Sequence, residues 1–224
     1  VFNITATLVW LPFSNLLVKL ACLTIRDDEV DEVSREDQEF MILESRFLEK
    51  PAFAVEQGRN AAKHMEQDSR KILDIALGLI YSYSDEQAER VQKLESKIDR
   101  YEDELGTYLV KLNNKDLSER DSHSVSIMLH CIGDFERISD HAVNIMESAQ
   151  ELHEKNISFS PQARNELQVL IAVVSRIVDT AYQVFDKQDL NLTRDVEPLE
   201  EIVDELSKEL KRRHVNRLRL GECT

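Results

Sequence analysis

Beyond Pro51, apolar residues return every three to four positions, the spacing that gathers them on one side of an α-helix. The pattern predicts a first long helix from Ala54 to about Tyr83, with Gly58, Ala61, Met65, Ile72, Leu73, Ala76 and Ile80 on its inner side. A second follows from Asp85, a suitable N-cap, through Val91, Leu94, Ile98, Leu105 and Leu109 to Leu112. The Asn113-Asn114-Lys115 turn ends it. A third helix then runs from Ser118 through Val125, Met128, Ile132, Phe135, Ile138, Ala142 and Ile145 to Ala149. After a break at Asn156 to Ser160, Pro161 opens a fourth helix to about Lys187, and a fifth spans about Thr193 to Leu218.

The fourth and fifth helices repeat the first two. Lys71-Ile72-Leu73-Asp74-Ile75-Ala76 aligns with Arg176-Ile177-Val178-Asp179-Thr180-Ala181, and Val91, Leu94, Glu95, Ile98 and Asp99 align with Val196, Leu199, Glu200, Val203 and Asp204. One shift of 105 positions, 71 to 176 and 91 to 196, serves both helices. Amphipathicity fixes a period near 3.6 and imposes no register over such a distance. The fold expected is therefore all-α: two antiparallel three-helix bundle repeats, residues 51–155 and 156–224, the second lacking its last helix and exposing the apolar sides of its two remaining ones.

The first 25 residues differ from all this, because Lys19 is their only charged residue. The stretch is long enough to cross a hydrocarbon core as a helix, and Lys19 and Arg26 at its end would mark the cytoplasmic side. A buried helix of a soluble domain is the alternative reading. Residues 26–50 carry ten acids against four bases and read as an acidic, solvated tether.

Composition narrows the classes of function. Of 224 residues only five are glycine and four proline, which favours long helices, and the net charge of -15 opposes binding to nucleic acid. Three widely spaced cysteines, Cys22, Cys131 and Cys223, form no metal or redox motif. No HExxH, Walker A, GxSxG or dinucleotide fingerprint is present. A di-metal carboxylate enzyme of the ferritin-like kind is one alternative, but it needs Glu-x-x-His on two helices, and no histidine here has Glu three positions before it. A mechanical membrane-linked signalling bundle is another; its uninterrupted heptads are at odds with the turn at 113–115 and the 105-residue register.

One row of side chains carries candidate chemistry. Glu136 and Asp140 are four apart on one helix face, with Cβ atoms about 6 Å apart, and Asn144 continues the row. Such oxygen donors suit Mg²⁺, Mn²⁺ or iron. Glu95/Asp99 and Glu200/Asp204 have identical spacing and are weaker candidates. Pairs of this kind are also frequent on solvated helix faces, so spacing alone leaves both readings open.

The run Asp134-Phe135-Glu136-Arg137-Ile138-Ser139-Asp140-His141-Ala142-Val143-Asn144-Ile145 resembles the E-R-x-x-D-x-x-x-N/K-I signature of the last helix in each PhoU three-helix bundle. The Val91-x-x-Leu94-Glu95-x-x-Ile98-Asp99 pattern is PhoU-like as well. Leu11-Pro12-Phe13-Ser14-Asn15-Leu16-Leu17 is similar to the end of the last membrane helix in bacterial sodium/phosphate cotransporter-type proteins, where an acidic tether and a segment like Leu43 to Leu48 lead into a PhoU-like domain. The resemblance implies a non-enzymatic regulatory domain. Residues 1–25 would end the transporter's last membrane helix, and residues 26–224 would be cytoplasmic at the inner membrane. Its partners would be the membrane-embedded portion of the same protein and, through that portion, inorganic phosphate and sodium, and a homodimer pairing the incomplete bundles is compatible. The Glu/Asp-x-x-x-Asp pair binds metal ions in that family, which implies a metal role for Glu136 and Asp140.

Overall fold

The computed structural model describes residues 39–222, and among them all regular structure is helical, with no strand. Five long helices dominate: α1 (Pro51–Leu79), α2 (Asp85–Asn113), α3 (Glu119–Glu154), α4 (Pro161–Lys187) and α5 (Val196–Leu220). The apolar segment 1–25 and most of the acidic segment after it lie outside the described residues.

The helix ends follow local chemistry. Pro51 and Pro161 stand in the first turns of α1 and α4, where no intrahelical N–H bond is lost. Ser118 and Ser160 accept backbone N–H bonds from Asp121 and Ala163, capping α3 and α4. At the other end of α4, Gln188 takes the left-handed conformation, with φ 53°, that turns the chain back. The fifth helix starts later than the apolar period indicates. A 3₁₀ segment, Leu190–Asp195, occupies the lead-in, since the Asp189 carboxylate draws the backbone N–H of Asn191 into a local turn.

Helices α1, α2 and α3 form a three-helix bundle, up, down and up. Arg59 of α1 donates to Ser124 of α3 at 3.0 Å and Ser69 donates to the Phe135 carbonyl at 3.1 Å, so numbering rises together in these two helices. Helix α2 runs against them: its Lys97 meets Asp68 at 2.8 Å, and its Tyr108 hydroxyl meets the Ala54 carbonyl. The seam holds Met65, Ile72, Val91, Ile98, Leu105, Leu109 and Val125, all fully buried. Gly58 permits the close approach of α1 to α2, since a Cβ there would come 3.0 Å from a Leu109 methyl.

The last part of the acidic segment is not a free tether. Phe40, Leu43 and Leu48 are buried, carried by two short 3₁₀ turns, Met41–Leu43 and Ser45–Glu49. The Phe40 ring lies 4.5 Å from that of Tyr101, whose hydroxyl donates to Glu39 at 2.9 Å, and Lys97 bridges Glu39 and Asp68 at 2.7 and 2.8 Å. High acid content hides this in the sequence, because three apolar residues over so short a run carry no helical period.

Helices α4 and α5 form an antiparallel hairpin, joined where Arg213 and Arg217 of α5 reach Glu166 of α4 at 3.3 and 2.8 Å. The hairpin leans on the bundle through α4. Lys63 pairs with Asp186 at 2.8 Å, Arg70 pairs with Asp179, and Tyr182 and Phe185 pack their rings against Phe135. Ser69 spends its single hydroxyl proton on the Phe135 carbonyl, so the Tyr182 hydroxyl, 2.9 Å away, donates to Ser69. Much of the hairpin's apolar surface stays uncovered, including Val169, Ile202, Val215 and Leu218. Among the described residues, α4 alone is long and apolar enough to cross a membrane.

Candidate functional site

Helices α2 and α3 pack antiparallel along the bundle and present acidic rows beside their shared seam. Leu94, Ile98, Leu105, Ile132, Phe135 and Ala142 face inward, and the positions next to them fall at the edge of the helix contact. Glu136 and Asp140 of α3 come to that edge from one side, and Glu95 and Asp99 of α2 come from the other. Glu95 and Glu136 are half-buried, whereas Asp99 and Asp140 are exposed.

The electrostatics show that the two rows act on each other. Partial burial pushes the Glu136 carboxyl above its ordinary value, and Asp140, Asp99 and Glu102 push it further. Burial followed by repulsion from Asp140 and Asp103 raises Asp99. Glu95 is raised by burial, then by Asp99 and, across the seam, Asp140, with only the Ser96 hydroxyl opposing. Glu95, Asp99 and Glu136 therefore ionise against a field made by neighbouring acids, which is the field that a cation would relieve.

Glu102, which acts on Glu136 across the helix contact, extends this seam beyond the sequence candidates. Glu102 was legible in principle, because Glu95, Asp99 and Glu102 follow the i, i+4, i+7 stripe of one helix face. Asn144 stands apart from a ligand role in its amide nitrogen, which donates to the Asp140 carbonyl of its own helix at 2.9 Å. Glu200 and Asp204 are exposed on α5, away from the α2–α3 seam.

Tested as a metal centre, the seam has the right donor chemistry and an uncompensated negative field, both suited to a hard cation. Among the described residues, however, no group of three or more His, Cys, Asp or Glu side chains converges as a ready coordination shell. A bound ion would draw exposed carboxylates inward by rotamer change and complete its shell with water, as Mg²⁺ commonly does.

The PhoU domain family matches residues 62–149, which take in most of α1, all of α2 and most of α3. The chain is 30% identical over 91 residues to the phosphate-specific transport system accessory protein PhoU homolog 1 of Thermotoga maritima, an overlap of 41% of this chain and 38% of that protein. No solved structure is matched. The chain thus spans well under half the length of the curated relative it matches, and the PhoU domain match falls within the three-helix bundle that carries the acidic seam.

Proposed function

We propose that this chain is a regulatory, non-enzymatic PhoU-type module that governs a phosphate transporter, either by setting uptake or by reporting phosphate status. The observation that carries the reading is the coincidence of the PhoU match over 62–149 with one continuous three-helix core. The matched relative is described as an accessory protein of phosphate-specific transport.

The finer reading is that the transporter is of the sodium/phosphate cotransporter type and belongs to the same polypeptide. The apolar segment 1–25, with one charge, supports this as the end of a membrane helix, followed by an acidic link to a domain on the cytoplasmic side. The α4–α5 hairpin is then the start of a second three-helix unit, supported by the 105-residue register and by its uncovered apolar residues. A second copy of the chain is one partner able to cover that surface. Cation binding at Glu136 and Asp140, with Glu95 and Asp99 across the seam, is the means by which ionic conditions reach the module.

Phosphate uptake by cells carrying the gene with and without codons 51–224 tests the regulatory reading. Expected is uptake that persists without these codons but no longer adjusts to external phosphate. Identical uptake and identical adjustment in both strains would count decisively against regulation.

A further inference from the structure

At the end of the bundle where α1 and α3 finish and α4 begins, the structure holds a cavity of about 170 Å³. It is distinct from the α2–α3 seam. Three observations converge on it. The Tyr81 hydroxyl is buried and has no hydrogen-bond partner, and a buried donor left unmatched is uncommon in a folded protein. The Arg164 guanidinium lies over the Tyr81 ring, 5.1 Å from its centroid. Unlike Arg70, Arg213 and Arg217, which pair with Asp179 and Glu166, Arg164 forms no ion pair with a carboxylate among the described residues. The cavity wall also includes Ser158, just before α4, and His153, whose ring stacks on Tyr83 at 4.8 Å.

These groups are donors of different shape meeting around one space: a planar guanidinium fork, a phenol, a serine hydroxyl and an imidazole. Arg164 reaches the cavity from the opening turn of α4. A volume worth several water molecules accommodates a tetrahedral oxyanion. Two carboxylates, Asp85 and Glu154, act on Tyr83 in the cavity wall, and the Gln150 amide engages Glu154 at 2.9 Å.

We propose that this cavity binds a tetrahedral oxyanion of the phosphate kind, free or as a small monoester, with Arg164 as its charge partner and Tyr81, Ser158 and His153 as hydrogen-bond donors. Binding here needs no transporter, so its failure would leave the regulatory reading standing, and the uptake experiment can fail without touching it. Thermal unfolding and isothermal titration of the full 224-residue chain with inorganic phosphate, at ionic strength held constant with chloride, provide the test. Phosphate is expected to raise the melting temperature where chloride does not. Arg164→Gln should weaken binding at least tenfold, with Arg164→Lys in between because it keeps the charge but loses the fork. Tyr81→Phe should weaken binding several-fold without lowering the melting temperature in the absence of phosphate, since it removes only an unmatched hydroxyl. Glycerol phosphate against inorganic phosphate separates the esterified from the free ligand. Equal shifts by phosphate and chloride, or an Arg164→Gln chain that binds as the unchanged one does, would overturn the site.

Discussion

Replacing Ile72 by Ala is expected to lower the unfolding free energy by about 3 kcal/mol, and replacing Leu199 by Ala by only about 1 kcal/mol. Ile72 is completely buried in the middle of α1, within the seam shared by three helices, so truncation leaves a cavity that its neighbours cannot collapse into. Leu199 sits on a two-helix hairpin whose buried residues are few, Tyr182, Leu199 and Arg217, and whose neighbours can relax toward open solvent. Chemical denaturation followed by circular dichroism measures both. Equal losses would mean that α4 and α5 possess a core as complete as that of the first three helices, which contradicts the packing described above.

The second large effect is a pH dependence centred on Glu66. Its side chain is 3% exposed, on the face of α1 that receives α4. Burial first, then repulsion from Asp186, pushes its carboxyl up to about 7, while Arg70 and Lys63 pull the other way. On α4, Tyr182 also faces it, and Asp186 and Asp179 are held by Lys63 and Arg70. The folded state therefore keeps the proton between about pH 4.5 and 7 while the unfolded chain releases it. In that window stability falls as pH rises, and above it the full penalty applies, on the order of 3 kcal/mol by linkage. Glu66→Gln should match the unchanged chain near pH 4 and exceed its stability at pH 8 by up to about 3 kcal/mol. Denaturation midpoints at the two pH values measure the difference. Parallel pH profiles for the two chains would refute a protonated Glu66, and a variant less stable at pH 8 would assign the carboxylate a stabilising charge.

The helices were legible because their apolar residues are long-range and periodic. Met65, Ile72, Leu94, Ile98, Leu105 and Ile132 all fall inward as a 3.6-residue period requires. What escaped the period is polar or short. Glu66, Ser69 and Ser139 are buried although their types suggest a surface, and Glu66 and Ser69 lie on the face of α1 met by α4, a contact that no local pattern encodes. Phe40, Leu43 and Leu48 were masked by surrounding acids for a related reason, since they pack as single anchors. For the candidate site, the spacing of Glu136 and Asp140 was visible along one helix. Their meeting with Asp99 and Glu102 depends on how α2 and α3 lie against each other, which spacing within either helix does not contain. The Tyr81 and Arg164 pair is more remote still, because it joins the end of one helix to the first turn of another across 83 positions.

The acidic α2–α3 seam as a cation site is the part of the account from which regulation would follow, and it is open to a direct measurement. Elemental analysis of the purified chain after incubation with Mn²⁺ and gel filtration should be compared with the Glu136→Gln/Asp140→Asn form. Manganese is expected to stay with the unchanged chain and to be lost from the variant, with unaltered helical content. Equal, negligible manganese in both would contradict it.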